Sequence, residues 1–198
     1  MPEIVVYASE DAYRVWDLTS LGAPDAPVPY WSFPWAGGQA LARYLLDHPD
    51  LVRGRRVLDV ASGNGLVAIA AAKAGAAHAV ANDVDPFAAA AQQLNARANN
   101  VAVDSLQADI LDDDRAGEFD VVLAGDVCYE RELSARLLGF LQRSAGGGAA
   151  VLLADPGRSY LPRDQLEPVT AFDVSTSLAV EGTERKQTTI WRPARHPD

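Results

Sequence analysis

The fold is decided by one stretch, Val57-Leu58-Asp59-Val60-Ala61-Ser62-Gly63-Asn64-Gly65. Its apolar first half predicts a buried strand, its glycine-rich second half predicts a tight turn, and the alanine-rich residues 66–74 predict a helix directly after it. This arrangement places exposed backbone N–H groups at the carboxyl end of a strand, where ligands of open α/β sheets bind. Small residues are needed there because a Cβ would collide with the ligand. The stretch therefore predicts a nucleotide-type binding site.

Strand-like and helix-like segments alternate around this stretch. The predicted strands cover residues 56–61, 78–82, 105–108, 119–124, 149–154, 172–177 and 188–191, and the predicted helices cover residues 39–46, 66–74, 86–99 and 132–143. Such alternation is typical of a parallel sheet with helices on both faces. The last two strands are joined by the polar residues 181–186, which leave no room for a helix, so we expect an antiparallel hairpin there. The pattern predicts an α/β, Rossmann-like fold with a mostly parallel, seven-stranded sheet.

Length and composition limit the class of protein. The 198 residues suffice for one domain, in which residues 1–50 precede a ligand-binding core at 51–160 and a hairpin at 161–198. The formal net charge is −10, so nucleic acid is a poor partner and a protein with cationic side chains is a good one. The chain has one cysteine and shows neither a signal peptide nor an apolar run of membrane-spanning length. We therefore expect a cytoplasmic monomer without membrane association.

Two kinds of ligand fit the glycine turn. Gly63, Gly65 and Ala68 satisfy the dinucleotide pattern G-x-G-x-x-A, which points to a nicotinamide- or flavin-dependent enzyme. Asp59 lies inside the strand, where a carboxylate suits the cationic amino group and sulfonium of S-adenosylmethionine and repels a pyrophosphate. The predicted hairpin also replaces the additional parallel strands of a dinucleotide fold. Both features favour S-adenosylmethionine.

Acidic residues end the next two strands. Asp83 follows Gly63 by 20 residues, a spacing that suits a carboxylate for the ribose hydroxyls, although it also fits an ordinary surface acid. Asp85 precedes Pro86 and is better explained as the N-cap of the next helix. Asp109 is placed to accept a hydrogen bond from the adenine amino group, or it simply opens a solvated acidic loop.

The fourth strand brings Asp126 and Tyr129 to the same edge of the sheet, where an acceptor substrate would bind. Two other interpretations stay open, with Asp126 as the cap of the following helix and Tyr129 as a packing residue. Cys128 is better explained as a small buried residue than as a nucleophile, because no histidine can be placed beside it. The three histidines lack metal-ligand spacing, so no metal site is predicted.

Several segments together resemble a known family. They are Trp35-Ala36-Gly37-Gly38-Gln39, the glycine turn, Asn82-Asp83-Val84-Asp85-Pro86, Gly125-Asp126-Val127-Cys128-Tyr129 and Asp155-Pro156-Gly157-Arg158. Over about residues 30–160 the chain resembles the family 16 protein-lysine methyltransferases. Within them it most resembles the electron transfer flavoprotein β-subunit lysine methyltransferase branch and its bacterial, nicotinamide N-methyltransferase-like relatives. One departure is Ala61, where the family usually has glycine.

The resemblance implies a class I methyltransferase fold and a role for each matching residue. It places Trp35 near the cofactor, although without it Trp31, Phe33 and Trp35 are better explained as core residues. It also implies that Asp126 and Tyr129 flank the incoming lysine as the catalytic pair. The predicted cofactor site consists of Trp35, Gly38, Asp59, Ser62, Gly63, Asn64, Gly65, Asp83, Val84, Asp109, Ile110, Ala124 and Gly125.

The predicted reaction is direct methyl transfer from S-adenosylmethionine to a nitrogen acceptor, with S-adenosylhomocysteine as product. The resemblance implies that the acceptor is a protein lysine, as in the electron transfer flavoprotein β-subunit. A lysine has a pKa of about 10.4, so its amine must lose a proton before it attacks, and Asp126 is placed to orient the ammonium. The alternatives are a small-molecule N- or O-methyltransferase, a nicotinamide-dependent oxidoreductase and a non-catalytic module that binds S-adenosylmethionine.

Overall fold

The computed structural model describes residues 2–9, 11–20, 27–115 and 117–194. The strands of these residues are β1 Arg56–Val60, β2 His78–Asp83, β3 Asp104–Gln107, β4 Val121–Gly125, β5 Ala150–Asp155, β6 Leu166–Ser175 and β7 Arg185–Pro193. They form one sheet in the order β3-β2-β1-β4-β5-β7-β6. Neighbouring strands run parallel from β3 to β5, whereas β7 runs antiparallel to both β5 and β6. The predicted mostly parallel sheet with its antiparallel hairpin is confirmed.

Helices surround this sheet. The α-helices of the described residues are α1 Ala12–Ser20, α2 Ala36–Asp47, α3 Leu66–Lys73, α4 Pro86–Ala98, α5 Arg131–Gly146 and α6 Leu178–Glu181, and short 3-10 turns occur at Tyr30–Ser32, Pro49–Leu51 and Arg163–Gln165. Within the described ranges, no helix is both long and apolar enough to cross a membrane.

Two apolar cores fill the space between the sheet and the helices. On one face, Val57 of β1 belongs to the same core as Leu41 of α2 and Ile69 of α3. On the other face, Leu58 of β1 belongs to the same core as Leu137 of α5. Successive strand residues point to opposite faces, so an uninterrupted apolar run such as that of β1 serves both cores. The central strands are thereby covered on both faces, and only their ends are open to a ligand.

The ends of the chain differ from the sequence prediction. No helix is predicted for residues 12–20, but α1 forms there, and Asp11 Oδ1 accepts a hydrogen bond from the Arg14 N–H at 3.0 Å, as an N-cap does. The expectation that the polar residues 181–186 join the last two strands without room for a helix is wrong. One turn, α6, fits because Gly182 at a φ of 71° reverses the chain immediately after it. β6 also begins at Leu166 rather than at residue 172, because it pairs with β7 over its whole length.

The first turn of α2 lies directly on the ends of β4 and β5. A Cβ added to Gly37 would lie 2.5 Å from Asp126 Oδ2 and 2.6 Å from the Ala154 carbonyl oxygen. A Cβ added to Gly125 would lie 2.8 Å from the backbone nitrogen of Gly38. Helix and strands thus meet backbone to backbone, and the Gly37 N–H donates a hydrogen bond to Asp126 Oδ2. Only glycine permits this approach.

The substitution Gly37→Ala tests this contact. The added methyl group meets backbone atoms that cannot rotate away, so we expect the free energy of unfolding to fall by about 1–3 kcal/mol, as in other overpacked cores. Chemical denaturation followed by circular dichroism measures the change. Gly146→Ala is the matched control, because nothing lies within 4 Å of a Cβ there and alanine favours a helix. A Gly37→Ala protein as stable as the wild type would contradict the close contact.

Candidate active site

A cavity of about 670 Å³ opens at the carboxyl ends of β1, β2 and β4. Its wall includes Ala61 and Gly63 after β1, Asp83 at the end of β2, and Gly125 and Asp126 at the end of β4. The cavity lies where the strand order reverses, between β1 and β4, which is the position at which open α/β sheets bind ligands. Its volume is in the range of cofactor pockets. The sequence prediction of a ligand site at this edge therefore corresponds to a real concavity.

Asp59 lies beneath the glycine turn and outside the cavity wall. It is buried, and its Oδ2 accepts hydrogen bonds from the Ser62 hydroxyl at 2.5 Å and from the Ala68 N–H at 3.1 Å. Burial raises the pKa of this carboxyl to about 7. These bonds tie the turn to the first turn of α3, so Asp59 shapes the backbone that faces the ligand. Direct contact of Asp59 with a cofactor stays a prediction.

Five other predicted cofactor residues also do not line the cavity, namely Gly38, Ser62, Asn64, Gly65 and Ala124. Gly65 adopts a φ of 84°, and a Cβ there would lie 3.3 Å from Cα of Gln92 in α4. Asn64 Oδ1 accepts a hydrogen bond from the Leu66 N–H at 3.2 Å, and the Asn64 carbonyl oxygen accepts one from Asn95 Nδ2 at 2.9 Å. These contacts fix the turn against α4 and leave Gly63 exposed to the cavity.

Asp83 lines the cavity and braces the turn from the other side. Its Oδ2 accepts a hydrogen bond from the Gly63 N–H at 2.8 Å, and its Oδ1 accepts one from the Asp85 N–H at 3.0 Å. A carboxylate offers about four acceptor positions, so Asp83 can still accept hydrogen bonds from two hydroxyl groups. Burial raises its pKa. Asp85 caps α4, since its Oδ1 accepts the Phe87 N–H at 2.8 Å, and its predicted role as an N-cap is confirmed.

Asp109 lies both on the cavity wall and in the acidic loop, and its contact with an adenine stays a prediction. It lines the cavity together with Val84 and Ile110, and it also belongs to the acidic loop, where Arg136 Nη2 lies 2.9 Å from its Oδ2. The Arg136 guanidinium lowers the pKa of the Asp109 carboxyl. A hydrogen-bond acceptor and two apolar side chains on one cavity wall suit a flat heteroaromatic ring that carries an amino group.

Aromatic residues form part of the cavity wall. Tyr30, Trp31 and Trp35 all line it, and Trp35 Nε1 donates a hydrogen bond to the Tyr30 carbonyl oxygen at 2.7 Å. The Tyr30 ring centroid lies 5.1 Å from that of Tyr129. The interpretation as a core residue holds for Phe33, which is buried. Trp35 instead lines the cavity, and its contact with a cofactor stays a prediction.

Asp126 is the buried acid of the site, only 6% exposed. It follows β4 with a φ of 62°, and its Oδ1 accepts hydrogen bonds from Arg158 Nε at 2.9 Å and Nη2 at 2.6 Å. Its Oδ2 accepts the Gly37 N–H. Burial raises the pKa of Asp126 to about 6, and Arg158 counteracts part of that rise. The interpretation of Asp126 as a helix cap is wrong, because α5 begins at Arg131 and Glu130 occupies its N-cap position.

Tyr129 is half-exposed and lines the cavity beside Asp126. Burial of its hydroxyl raises the pKa of Tyr129 to about 12, so this group keeps its proton at neutral pH. Cys128 is buried, and burial raises the pKa of its thiol to about 12, which fits the predicted apolar role.

Within the described ranges, no three histidine, cysteine or acidic side chains form a group that could hold a metal, and His196 lies outside those ranges.

Two residues of the site have no role in the sequence analysis. Arg158 lines the cavity, with its guanidinium 5.3 Å from the ring centroid of Trp35. Glu181, in α6, lies 3.4 Å from Arg158 Nη2 and 2.5 Å from Lys186 Nζ, and its side chain is only 3% exposed. Arg158 stands in one of the segments that carry the family resemblance, which was a signal for it. Glu181 left no comparable signal, because its segment looked like a polar hairpin loop.

The sheet order, the glycine turn after β1, the acid at the end of β2 and the antiparallel β7 define a class I S-adenosylmethionine-dependent methyltransferase. Solved structures share this fold. The magnesium protoporphyrin IX methyltransferase of Synechocystis with bound S-adenosylmethionine has a TM-score of 0.58 and 17% identity, and the match covers 93% of this chain and 92% of that chain. The ribosomal protein L11 methylase of Lactobacillus delbrueckii has a TM-score of 0.56 and 19% identity, over 82% and 81% of the two chains.

Sequence comparison gives the family. Residues 40–127 match the family model of the ribosomal protein L11 methyltransferase. The electron transfer flavoprotein beta subunit lysine methyltransferase of Xenopus laevis is 40% identical over 168 residues, which cover 82% of this chain and 68% of the relative. That of Danio rerio is 38% identical over 202 residues, which cover 100% of this chain and 78% of the relative. The chain belongs to the electron transfer flavoprotein β-subunit lysine methyltransferase family, and it is an S-adenosylmethionine-dependent methyltransferase. The oxidoreductase alternative is therefore wrong.

Asp83→Ala tests the cofactor side of the cavity. The variant loses the acceptor for the ribose hydroxyls and the brace of the Gly63 N–H, so we expect the Kd for S-adenosylmethionine to rise about tenfold or more. Isothermal titration calorimetry measures the affinity. Asp50→Ala removes an exposed acid from the turn Pro49–Leu51, away from the cavity, and should bind like the wild type. Unchanged affinity in Asp83→Ala would remove Asp83 from the cofactor site.

Proposed function

We propose that this chain methylates the ε-amine of a protein lysine and that its acceptor is the electron transfer flavoprotein β-subunit. The names of its relatives support this acceptor. Within the molecule, the observation that carries the proposal is the buried carboxylate of Asp126 on the cavity wall, beside Tyr129. Arg158 and the Gly37 N–H leave one acceptor position on Asp126 Oδ2, because a carboxylate offers about four, and that position suits an N–H of an incoming ammonium.

The residues around the cavity suit S-adenosylmethionine, which supplies a methyl group on a cationic sulfonium. Asp83 has acceptor positions left for the ribose hydroxyls. Asp109 would accept a hydrogen bond from the adenine amino group. Val84 and Ile110 would lie against the faces of the adenine ring. Gly63 has no side chain, so the turn leaves room for the chain that joins ribose and sulfonium.

Asp126 and Tyr129 would handle the acceptor. A lysine arrives as an ammonium with a pKa of about 10.4, and its lone pair becomes available only after a proton leaves. Asp126 is ionised above a pH of about 6, so at neutral pH it accepts a hydrogen bond from the nitrogen and orients it. Tyr129 retains its hydroxyl proton, and its ring covers the aliphatic part of the side chain. No covalent intermediate with the enzyme is needed.

The charge around the cavity supports a cationic protein segment as the acceptor. Glu130 and Glu132 are exposed and line the same cavity, and the whole chain carries a net charge of −10. A negative mouth raises the local concentration of a positive segment and speeds its association. A lysine in such a segment would pass these exposed acids and reach Asp126, which is the buried anion of the cavity.

The acceptor is tested by incubating the enzyme with labelled S-adenosylmethionine and the electron transfer flavoprotein β-subunit of the same organism. We expect the label on lysine ε-amines of that subunit, located by mass spectrometry. Ribosomal protein L11 is the control acceptor, because its methyltransferases share the matched family model. Label on L11 alone, or only on small amines, would contradict the proposed acceptor.

Asp126→Asn tests the catalytic side of the site. The amide keeps the shape of the side chain but cannot stabilise an ammonium, so we expect kcat/KM to fall about 100-fold or more. The affinity for S-adenosylmethionine should change by less than about threefold, because the cofactor contacts remain. Asp120→Asn makes the same change near the other end of β4, where Asp120 pairs with Arg56 away from the cavity, and should retain activity. Full turnover by Asp126→Asn would refute the role of Asp126.

A further inference from the structure

Arg158 lies at the junction of two cavities. Besides the cofactor cavity, a second cavity of about 320 Å³ is lined by Tyr129, Pro156, Gly157, Arg158, Ser159 and Lys186. Tyr129 and Arg158 line both. The two residues therefore stand between the space for the cofactor and a second opening, next to Asp126.

Arg158 is fixed from both ends. Asp155 Oδ1 accepts hydrogen bonds from the N–H groups of Gly157 at 2.7 Å and Arg158 at 2.6 Å, which sets the turn after β5. The guanidinium binds Asp126 Oδ1 through two nitrogens and lies 3.4 Å from Glu181 Oε2. Its side chain is only 20% exposed. The cation is thus held in one place rather than left to sample the solvent.

Stability alone gives a poor explanation for this arrangement. Buried ion pairs often stabilise a protein no better than apolar residues of similar volume, because each charge loses its hydration. Here Asp126, Arg158, Glu181 and Lys186 form one chain of ion pairs at the wall of the active site. Glu181 also accepts a hydrogen bond from the Ala36 N–H at 3.2 Å. The first turn of α2 therefore binds both acids, Glu181 through Ala36 and Asp126 through Gly37.

We propose that Arg158 is a positioning residue of methyl transfer, which acts through Asp126 and holds this carboxylate charged and oriented toward the acceptor, and that Glu181 opposes its charge. The proposal rests on the function proposed above, since it needs a lysine as the acceptor. Lys186 lies on the wall of the second cavity and pairs with Glu181, so this side of Arg158 carries both a cation and its counter-ion.

Arg158 and Glu181 act on the pKa of Asp126 in opposite directions. Burial favours the neutral acid, Arg158 favours the carboxylate, and Glu181 favours the neutral acid again. Removal of Arg158 should therefore raise the pKa of Asp126 above about 6, and removal of the Glu181 charge should lower it. The other titratable groups around this point are Cys128 and Tyr129 after β4, Asp155 at the end of β5, and Lys186 in β7.

The test is the pH dependence of kcat/KM with the lysine acceptor, from a pH of about 5 to a pH of about 9. We expect the acid limb of Arg158→Gln to move up by about one pH unit or more, with a loss of about twofold or more at neutral pH that recovers at high pH. Glu181→Gln, which keeps hydrogen-bonding groups and removes the charge, should move the acid limb down. Arg158→Lys should return the limb toward the wild-type position. Arg192→Gln, an exposed arginine of β7 paired with Glu167, is the matched control.

A merely structural role gives a different result. Equal losses at every pH, or acid limbs of Arg158→Gln and Glu181→Gln that move in the same direction, would overturn the proposal. Adding Arg158→Gln to Asp126→Asn should cause little further loss, because the two residues act as one unit. If Arg158→Gln does not bind S-adenosylmethionine, the test passes to Glu181→Gln, and an acid limb of this variant that does not move down overturns the proposal. A wild-type enzyme that methylates no lysine would overturn the proposed function as well, whereas lysine methylation with unmoved acid limbs overturns only the role of Arg158.

Discussion

The backbone contact between α2 and the ends of β4 and β5 is the constraint on which the rest of the site depends. Gly37 approaches Asp126 so closely that a single added carbon would overlap it, and its N–H binds the carboxylate. The first turn of a helix carries a partial positive charge, which favours an anion at this point. The same contact places Trp35, the residue before α2, on the cavity wall. One close approach thereby positions both an aromatic wall and the acid that faces the acceptor.

Three aspartates at this sheet edge show how neighbours assign different roles to one residue type. Burial raises the pKa of Asp59, Asp83 and Asp126 alike. Asp59 uses its bonds inside the glycine turn, so it shapes the backbone. Asp83 binds one N–H of that turn and still faces the cavity. Asp126 pairs with the guanidinium of Arg158. Of these three aspartates, it is therefore the one whose negative charge is stabilised by a cationic side chain.

The carboxyl-terminal hairpin contributes to the site as well as to the sheet. Because β7 inserts between β5 and β6, the segment before it is brought beside the turn that follows β5. Glu181 thus reaches Arg158 and pairs with Lys186 as well, although the sequence suggested only a polar loop there. Antiparallel pairing at this edge therefore joins the last part of the chain to the active site.

The sequence by itself determined the alternation of strands and helices, the glycine turn, the N-cap at Asp85 and the segments shared with the family, because strand and helix periodicity and turn chemistry act over a few neighbouring residues. Only the tertiary structure decided which acids face the cavity and which brace it. Asp59 and Asp83 end or interrupt similar apolar strands, yet only Asp83 lies on the wall. The partners of Asp126 are likewise 89 and 32 residues away along the chain, at Gly37 and Arg158. Burial and charge pairing over such separations arise from packing, which no local pattern encodes.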